Sequence, residues 1–108
     1  MNNIKVDLLT TFCYVIDESL QMSKGKIAAQ VSHVAMMIAN KHPGIVGRAI
    51  VLKTNHTQFV ELLNRYATMN SVFIEDAGLT EVAPGTVTCI GFIQTLKTRE
   101  ITKHMKLV

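Results

Sequence analysis

Leu8-Leu9-Thr10-Thr11-Phe12-Cys13-Tyr14-Val15-Ile16 is the stretch whose reading decides the fold. It is rich in aromatic, β-branched and aliphatic residues without clean polar alternation, the pattern of a strand buried on both faces. Such a strand needs a cover on each side, and the flanking chain offers covers. Residues 23–41 carry a helical repeat in which Ile27, Val31, Val34, Ala35 and Ile38 form one stripe, with Gln30, His33 and Met37 on its flank. Ser23 suits the N-cap, and Pro43-Gly44 stops the helix.

Further along, Ala49-Ile50-Val51-Leu52 predicts a second buried strand within residues 48–53. A second helix is expected over residues 57–69, with Phe59, Val60, Leu63, Tyr66 and Ala67 on its core face. Residues 72–74 form a short third strand, and Asp76-Ala77-Gly78 and Pro84-Gly85 signal turns around a loop. Residues 86–94 read as a fourth strand, apolar on both faces and therefore central. A short helix over residues 98–104 closes the chain. The order β-α-β-α-β-β-α predicts one α/β domain over residues 1–108, with three layers. Right-handed crossovers make the first three strands parallel, and the helix-free link to the fourth makes it antiparallel.

Composition narrows the function classes. Hydrophobic residues make up 48% of the chain, which argues against disorder. Cys13 and Cys89 lie in apolar strands and read as reduced core thiols. Met36 and Met37 read as core or interface filler. No run reaches the ~20 apolar residues of a membrane span, and no signal peptide opens the chain, so a soluble intracellular protein is expected. The four histidines show no metal-ligand spacing. With 11 Lys+Arg against 8 Asp+Glu, the net charge of +3 suits an anionic partner. Lys97, Arg99, Lys103 and Lys106 crowd the last twelve residues, with Glu100 as the only acid.

Met22-Ser23-Lys24-Gly25-Lys26 places two lysines in the first turn of a helix, where folding alone favours Asp or Glu. That conflict points to a site for a phosphate or an oxyanion. Ligands of open α/β sheets sit outside the carboxyl ends of the parallel strands. Lys26 follows the first strand at that edge and Asp76 follows the third. Thr86 and Thr88 open the antiparallel fourth strand there, and Thr80 lies on the connecting loop.

Three blocks carry a family resemblance: residues 20–33, reading Leu-Gln-Met-Ser-Lys-Gly-Lys-Ile-Ala-Ala-Gln-Val-Ser-His; residues 76–88, reading Asp-Ala-Gly-Leu-Thr-Glu-Val-Ala-Pro-Gly-Thr-Val-Thr; and His104-Met105-Lys106-Leu107. With these blocks the chain resembles the archaeal and eukaryotic-type peptidyl-tRNA hydrolases. The resemblance implies an α/β/α sandwich on a four-stranded mixed sheet, a cytoplasmic homodimer, and no metal or organic cofactor. It implies hydrolysis of the ester joining a peptide to tRNA, with functional positions at Lys26, Asp76, Thr80 and Thr88. Asp76 would orient or deprotonate a water, Lys26 would stabilise the oxyanion or a terminal phosphate, and the threonines would place water and substrate. Lys24, Lys97, Arg99, Lys103 and Lys106 are candidates for the tRNA backbone.

Two departures stand out. The family usually follows its first strand with Arg-x-Asp, where this chain has Asp17-Glu18-Ser19, acids expected beside the site and repelling phosphate. The family's Gly-Pro after the fourth strand is here Ile93-Gln94. Competing readings are a non-catalytic binding module of the same fold and an esterase acting on another aminoacyl or peptidyl conjugate.

Overall fold

The computed structural model of the chain describes residues 5–66 and 71–108. Strand β1 spans Asp7–Asp17 and leads through a 3₁₀ turn, Glu18–Leu20, into helix α1, Lys24–Lys41. Then follow β2 (Gly47–Thr54), α2 (His56–Tyr66), β3 (Ser71–Glu75), β4 (Val87–Ile93), α3 (Leu96–Thr102) and β5 (Lys106–Leu107). The sheet order is β3-β4-β1-β2-β5. β1 and β2 are parallel, while β4 runs antiparallel to both β1 and β3, so β1, β2 and β3 share a direction, as expected.

The sheet has five strands, not four. β5 is a two-residue edge strand antiparallel to β2, paired Leu52 with Leu107 and Lys53 with Lys106. Two residues are too few to show a period of two, so only the pairing reveals the strand.

The two-faced reading of β1 holds for its second half. Phe12, Tyr14 and Ile16 pack with Val34 and Ile38 of α1, whereas Cys13 and Val15 pack with Phe59 and Leu62 of α2. Leu8 and Leu9 are exposed, because the pairing with β2 is irregular between Asp7 and Thr11. Gly91 of β4 faces α1. A Cβ there would lie 2.5 Å from Val34 Cγ1 and 2.9 Å from Ile38 Cδ1, so its missing side chain lets the helix approach the sheet.

Ser23 caps α1, its Oγ accepting from the Lys26 backbone N–H at 3.2 Å. Helix α3 begins two residues earlier than expected, because Thr95 and Thr98 form a reciprocal capping box. In α2 the buried face is Phe59 and Leu62, with Leu63 half-buried, while Val60 is 36% exposed at its rim. The rotation of ~100° per residue places Val60 off the stripe that Phe59, Leu62 and Leu63 share. Ala67, the expected helix end at Met69 and the surroundings of Tyr66 lie outside the described residues. Met36 and Met37 are solvent-exposed rather than core filler. Cys13 and Cys89 are free and buried, and burial pushes both thiols up to about 12, so neither is a nucleophile at neutral pH. No helix among the described residues is long and apolar enough to cross a membrane.

Candidate active site

The carboxyl edge of the sheet carries a cleft of about 680 Å³, lined by Lys26, Gln30, His33, Asp76, Thr80 and Glu81 among others. Two elements build it. The N-terminus of α1 supplies Lys26 and Gln30, four residues apart and therefore on one helix face. His33 lies further along the same helix, and the loop after β3 supplies Asp76, Thr80 and Glu81. The ends of that loop are tied: Asp76 N–H donates to Thr86 O at 2.8 Å, and Gly85 N–H donates to Asp76 O at 2.8 Å.

Lys26 Nζ donates to Asp76 Oδ1 at 2.7 Å and to Thr80 Oγ1 at 2.8 Å. Gln30 Nε2 donates to the same Asp76 Oδ1 at 3.1 Å, and Gly78 N–H donates to Oδ2 at 2.7 Å. Gln30 is itself anchored, its Oε1 accepting from Thr88 Oγ1 at 2.7 Å. The side chains of Lys26 and Asp76 are only 10% and 7% exposed, so this ion pair is largely withdrawn from solvent. The Lys26 hydrogen bond, followed by the Gly78 N–H, holds the Asp76 carboxyl below the usual carboxylate range.

These bonds limit what each group can do. An ammonium has three N–H donors and Lys26 commits two of them, leaving one for a developing oxyanion. A carboxylate offers about four acceptor directions, of which donors among the described residues fill three. The remaining direction is on Oδ2. A carboxylate held ionised in this way is a weak proton acceptor and a good orienting group.

Thr88 is fully buried, so it reaches Asp76 only through Gln30. Thr80 is exposed, and having accepted from Lys26 it keeps its own O–H to donate. Thr86 is half-buried and tied through its backbone.

Sequence reasoning missed two participants. Gln30 reads from the sequence only as a residue on the flank of the apolar stripe, yet its spacing of four from Lys26 is a usable signal. Glu81 gave none. Its backbone sits in the left-handed region at φ 52°, and its carboxylate accepts from Ser23 N–H and Ser23 Oγ, both at 2.7 Å. Glu81 therefore pins the loop bearing Thr80 onto the start of α1. It also takes up part of the anion-binding capacity expected at that helix end. The Ser23 backbone N–H, ahead of its hydroxyl, holds the Glu81 carboxyl below its ordinary value.

Asp17 and Glu18 do not line this cleft. Asp17 is 2% exposed and turned into the fold. Its Oδ1 accepts from Ser19 N–H at 3.0 Å and Ser19 Oγ at 2.6 Å, and its Oδ2 lies 2.7 Å from His56 Nδ1. The expected repulsion of phosphate by Asp17 is thus corrected: its charge is enclosed by Ser19 and His56, whereas Glu18 stays exposed outside the cleft.

The basic candidates separate by topology. β4 runs away from the cleft edge, so α3 starts beyond the opposite edge with the exposed Lys97 and Arg99. Lys103 pairs with Glu100 at 3.0 Å. Lys106 returns to the cleft edge opposite Lys53. Lys24 lies on the side of α1 that faces Val51 and Val108. Among the described residues, no three His, Cys, Asp or Glu side chains form a metal-binding group.

Comparison with known proteins adds an independent line. The family described as Peptidyl-tRNA hydrolase PTH2 matches residues 10–108. A peptidyl-tRNA hydrolase of Thermococcus onnurineus is 34% identical, the alignment covering 87% of this chain and 93% of that protein. A peptidyl-tRNA hydrolase of Thermoplasma acidophilum is 36% identical, covering 70% of this chain and 77% of that protein. One of Saccharolobus islandicus is 36% identical, covering 71% and 79%.

Proposed function

The chain belongs to the PTH2 family of peptidyl-tRNA hydrolases, and from that premise we propose how its own groups cleave the ester between a peptide and tRNA. The observation that carries the reading is Lys26 Nζ shared between Asp76 and Thr80 at the mouth of one cleft. The free acceptor direction of Asp76 Oδ2 orients a water toward the ester carbonyl carbon. As the water attacks, negative charge grows on the carbonyl oxygen, and the third N–H of Lys26 stabilises it. Collapse of the tetrahedral intermediate breaks the bond to the ribose oxygen, which takes up the proton given up by the attacking water and leaves as the hydroxyl of free tRNA, while the water oxygen stays on the peptide as its carboxyl group. Thr80 donates to the substrate from the rim. Gln30 and Thr88 are positioning residues that hold Asp76 in place, and Glu81 positions the loop.

Of the two roles left open for Asp76, orientation is favoured over full deprotonation because its carboxyl is held low. The binding-module reading rested on acids spoiling the site. Asp17 is enclosed while Glu18 stays exposed, and it is the family match that favours the hydrolase over the binding module.

We read residues 1–108 as one domain, since β5 near the end of the chain pairs with β2. The two packed clusters, one with α1 and the other with α2 and Ile101 of α3, support an α/β/α arrangement around the sheet. A homodimer and a cytoplasmic location are carried by the family resemblance, and sedimentation of the purified chain tests the first. The function is tested by incubating purified protein with peptidyl-tRNA and following release of free peptide. Release by the wild type and its loss in Asp76→Asn supports the reading; release by neither refutes it.

A further inference from the structure

Antiparallel pairing places Lys53 of β2 directly opposite Lys106 of β5. Residues directly opposite on paired strands project from the same face, and like charges there destabilise the pairing. β5 is only two residues long, and it is held by Met105 packing on the core beside it and by Val108 N–H donating to Val51 O at 3.0 Å, not by any bond between the two lysines. Neither lysine has a carboxylate partner among the described residues. Both line a groove of about 240 Å³ together with Glu18, Asn55, Gln58 and His104. Glu18 is the one acid of the groove, and it forms no ion pair with either lysine. Two cations against one carboxylate, with an imidazole and neutral amides around the opening, leave it net positive and form a surface for an anionic backbone.

Its place in the fold says which anion. The groove lies at the carboxyl end of β2, the same sheet edge as the Lys26–Asp76 cleft after β3. β3 and β5 are four strand positions apart, or roughly 19 Å at the usual strand spacing of about 4.8 Å. A single phosphate cannot bridge that distance; a polynucleotide with its reacting end in the cleft can. Resting on the hydrolase reading, we propose that the β2–β5 edge, through Lys53, Lys106 and His104, docks the tRNA backbone several nucleotides inward from the ester. The surface is distinct from Lys97 and Arg99, which begin beyond the opposite edge of the sheet.

The test compares Lys53→Ala/Lys106→Ala with Lys97→Ala/Arg99→Ala in the full chain. Binding of deacylated tRNA is read by fluorescence anisotropy across salt, and hydrolysis is read on peptidyl-tRNA and on a peptidyl-adenosine ester. The β2–β5 pair is expected to weaken tRNA binding about tenfold at low salt and to take about one unit per lysine off the salt slope. The loss falls on KM for peptidyl-tRNA and not on kcat, so the preference for peptidyl-tRNA over the small ester drops by the same factor. Melting temperature should hold or rise, because a like-charge pair has been removed. Unchanged affinity and slope, a larger loss from the Lys97/Arg99 pair, or a loss that merely follows a fall in melting temperature would overturn the docking surface. Binding needs no turnover. A wild type that binds tRNA through these lysines without cleaving it removes the hydrolase reading and leaves the surface standing; cleavage that ignores the lysines does the reverse.

Discussion

Two aspartates stand at the carboxyl edge of the same sheet, Asp17 at the end of β1 and Asp76 just after β3, and both are buried. Their partners differ. Asp17 accepts from Ser19, two residues away, and meets His56 at the start of α2. Asp76 meets Lys26 and Gln30, 50 and 46 residues away, and opens onto a cleft. Asp17 caps a turn and ties a helix to the sheet. Asp76 shares a lysine that still has a donor to spare. Burial is common to both; what separates them is that the lysine bound to Asp76 retains free capacity toward a ligand.

The largest expected effect is at the cleft. Asp76→Asn and Lys26→Ala should each lower kcat by about 10²-fold or more, the scale of losing a positioned water or an oxyanion donor. Because both side chains are about nine-tenths buried, some stability goes too. Activity is therefore compared at a temperature where circular dichroism shows each variant folded. Full turnover in either folded variant would remove the distinction between the two aspartates.

Asp17→Ala should do the opposite. It leaves the Ser19 and His56 donors without their acceptor, at a cost of about 1–3 kcal/mol, which lowers the melting temperature by roughly 4–8 °C per kcal/mol. Turnover of the folded protein should be kept. A loss of kcat at unchanged melting temperature would place Asp17 in the chemistry after all.

A smaller effect separates positioning from structure. Thr88→Val keeps the shape and removes the O–H that holds Gln30. It should cost about tenfold in kcat, or ~1.4 kcal/mol, with little change in KM, and Thr88→Ser should restore the loss. A fall in melting temperature with full kcat would make Thr88 a core residue only.

The smallest effect is on pH dependence. Asp76 and Glu81 are both held below ordinary carboxylate values, so each favours the folded state fully above its unfolded pKa of ~4. That contribution fades as pH falls through the lowered, folded values. Melting temperature should therefore drop on acidification below about pH 4 in the wild type, and less steeply in Asp76→Asn and Glu81→Gln. Equal slopes in all three would show that these bonds contribute nothing to stability.

Much of this was legible in the residues. The Ser23 cap was visible, and parallel β1 and β3 already brought Lys26 and Asp76 to one edge. The Asp17 reading failed for a definite reason. An acid replacing a cation looked like a charge facing the site, and nothing local announced that His56, 39 residues on, would lie beside it. Glu81 was hidden likewise, because a loop has no periodicity from which to read a direction. β5 escaped because pairing, not propensity, makes a strand of two residues.

What the sequence determined by itself was the alternation of elements, the apolar faces and the edge of the sheet where Lys26 and Asp76 meet. These follow from periodicity and capping, which act over a few residues. Tertiary structure alone decided which polar groups meet. It sent Thr88 inward to Gln30, gave Ser23 to Glu81, enclosed Asp17 and set Lys53 against Lys106. Side-chain hydrogen bonds and ion pairs act over about 3 Å, and residues 40 to 60 apart in the chain reach that distance only when the layers close on one another.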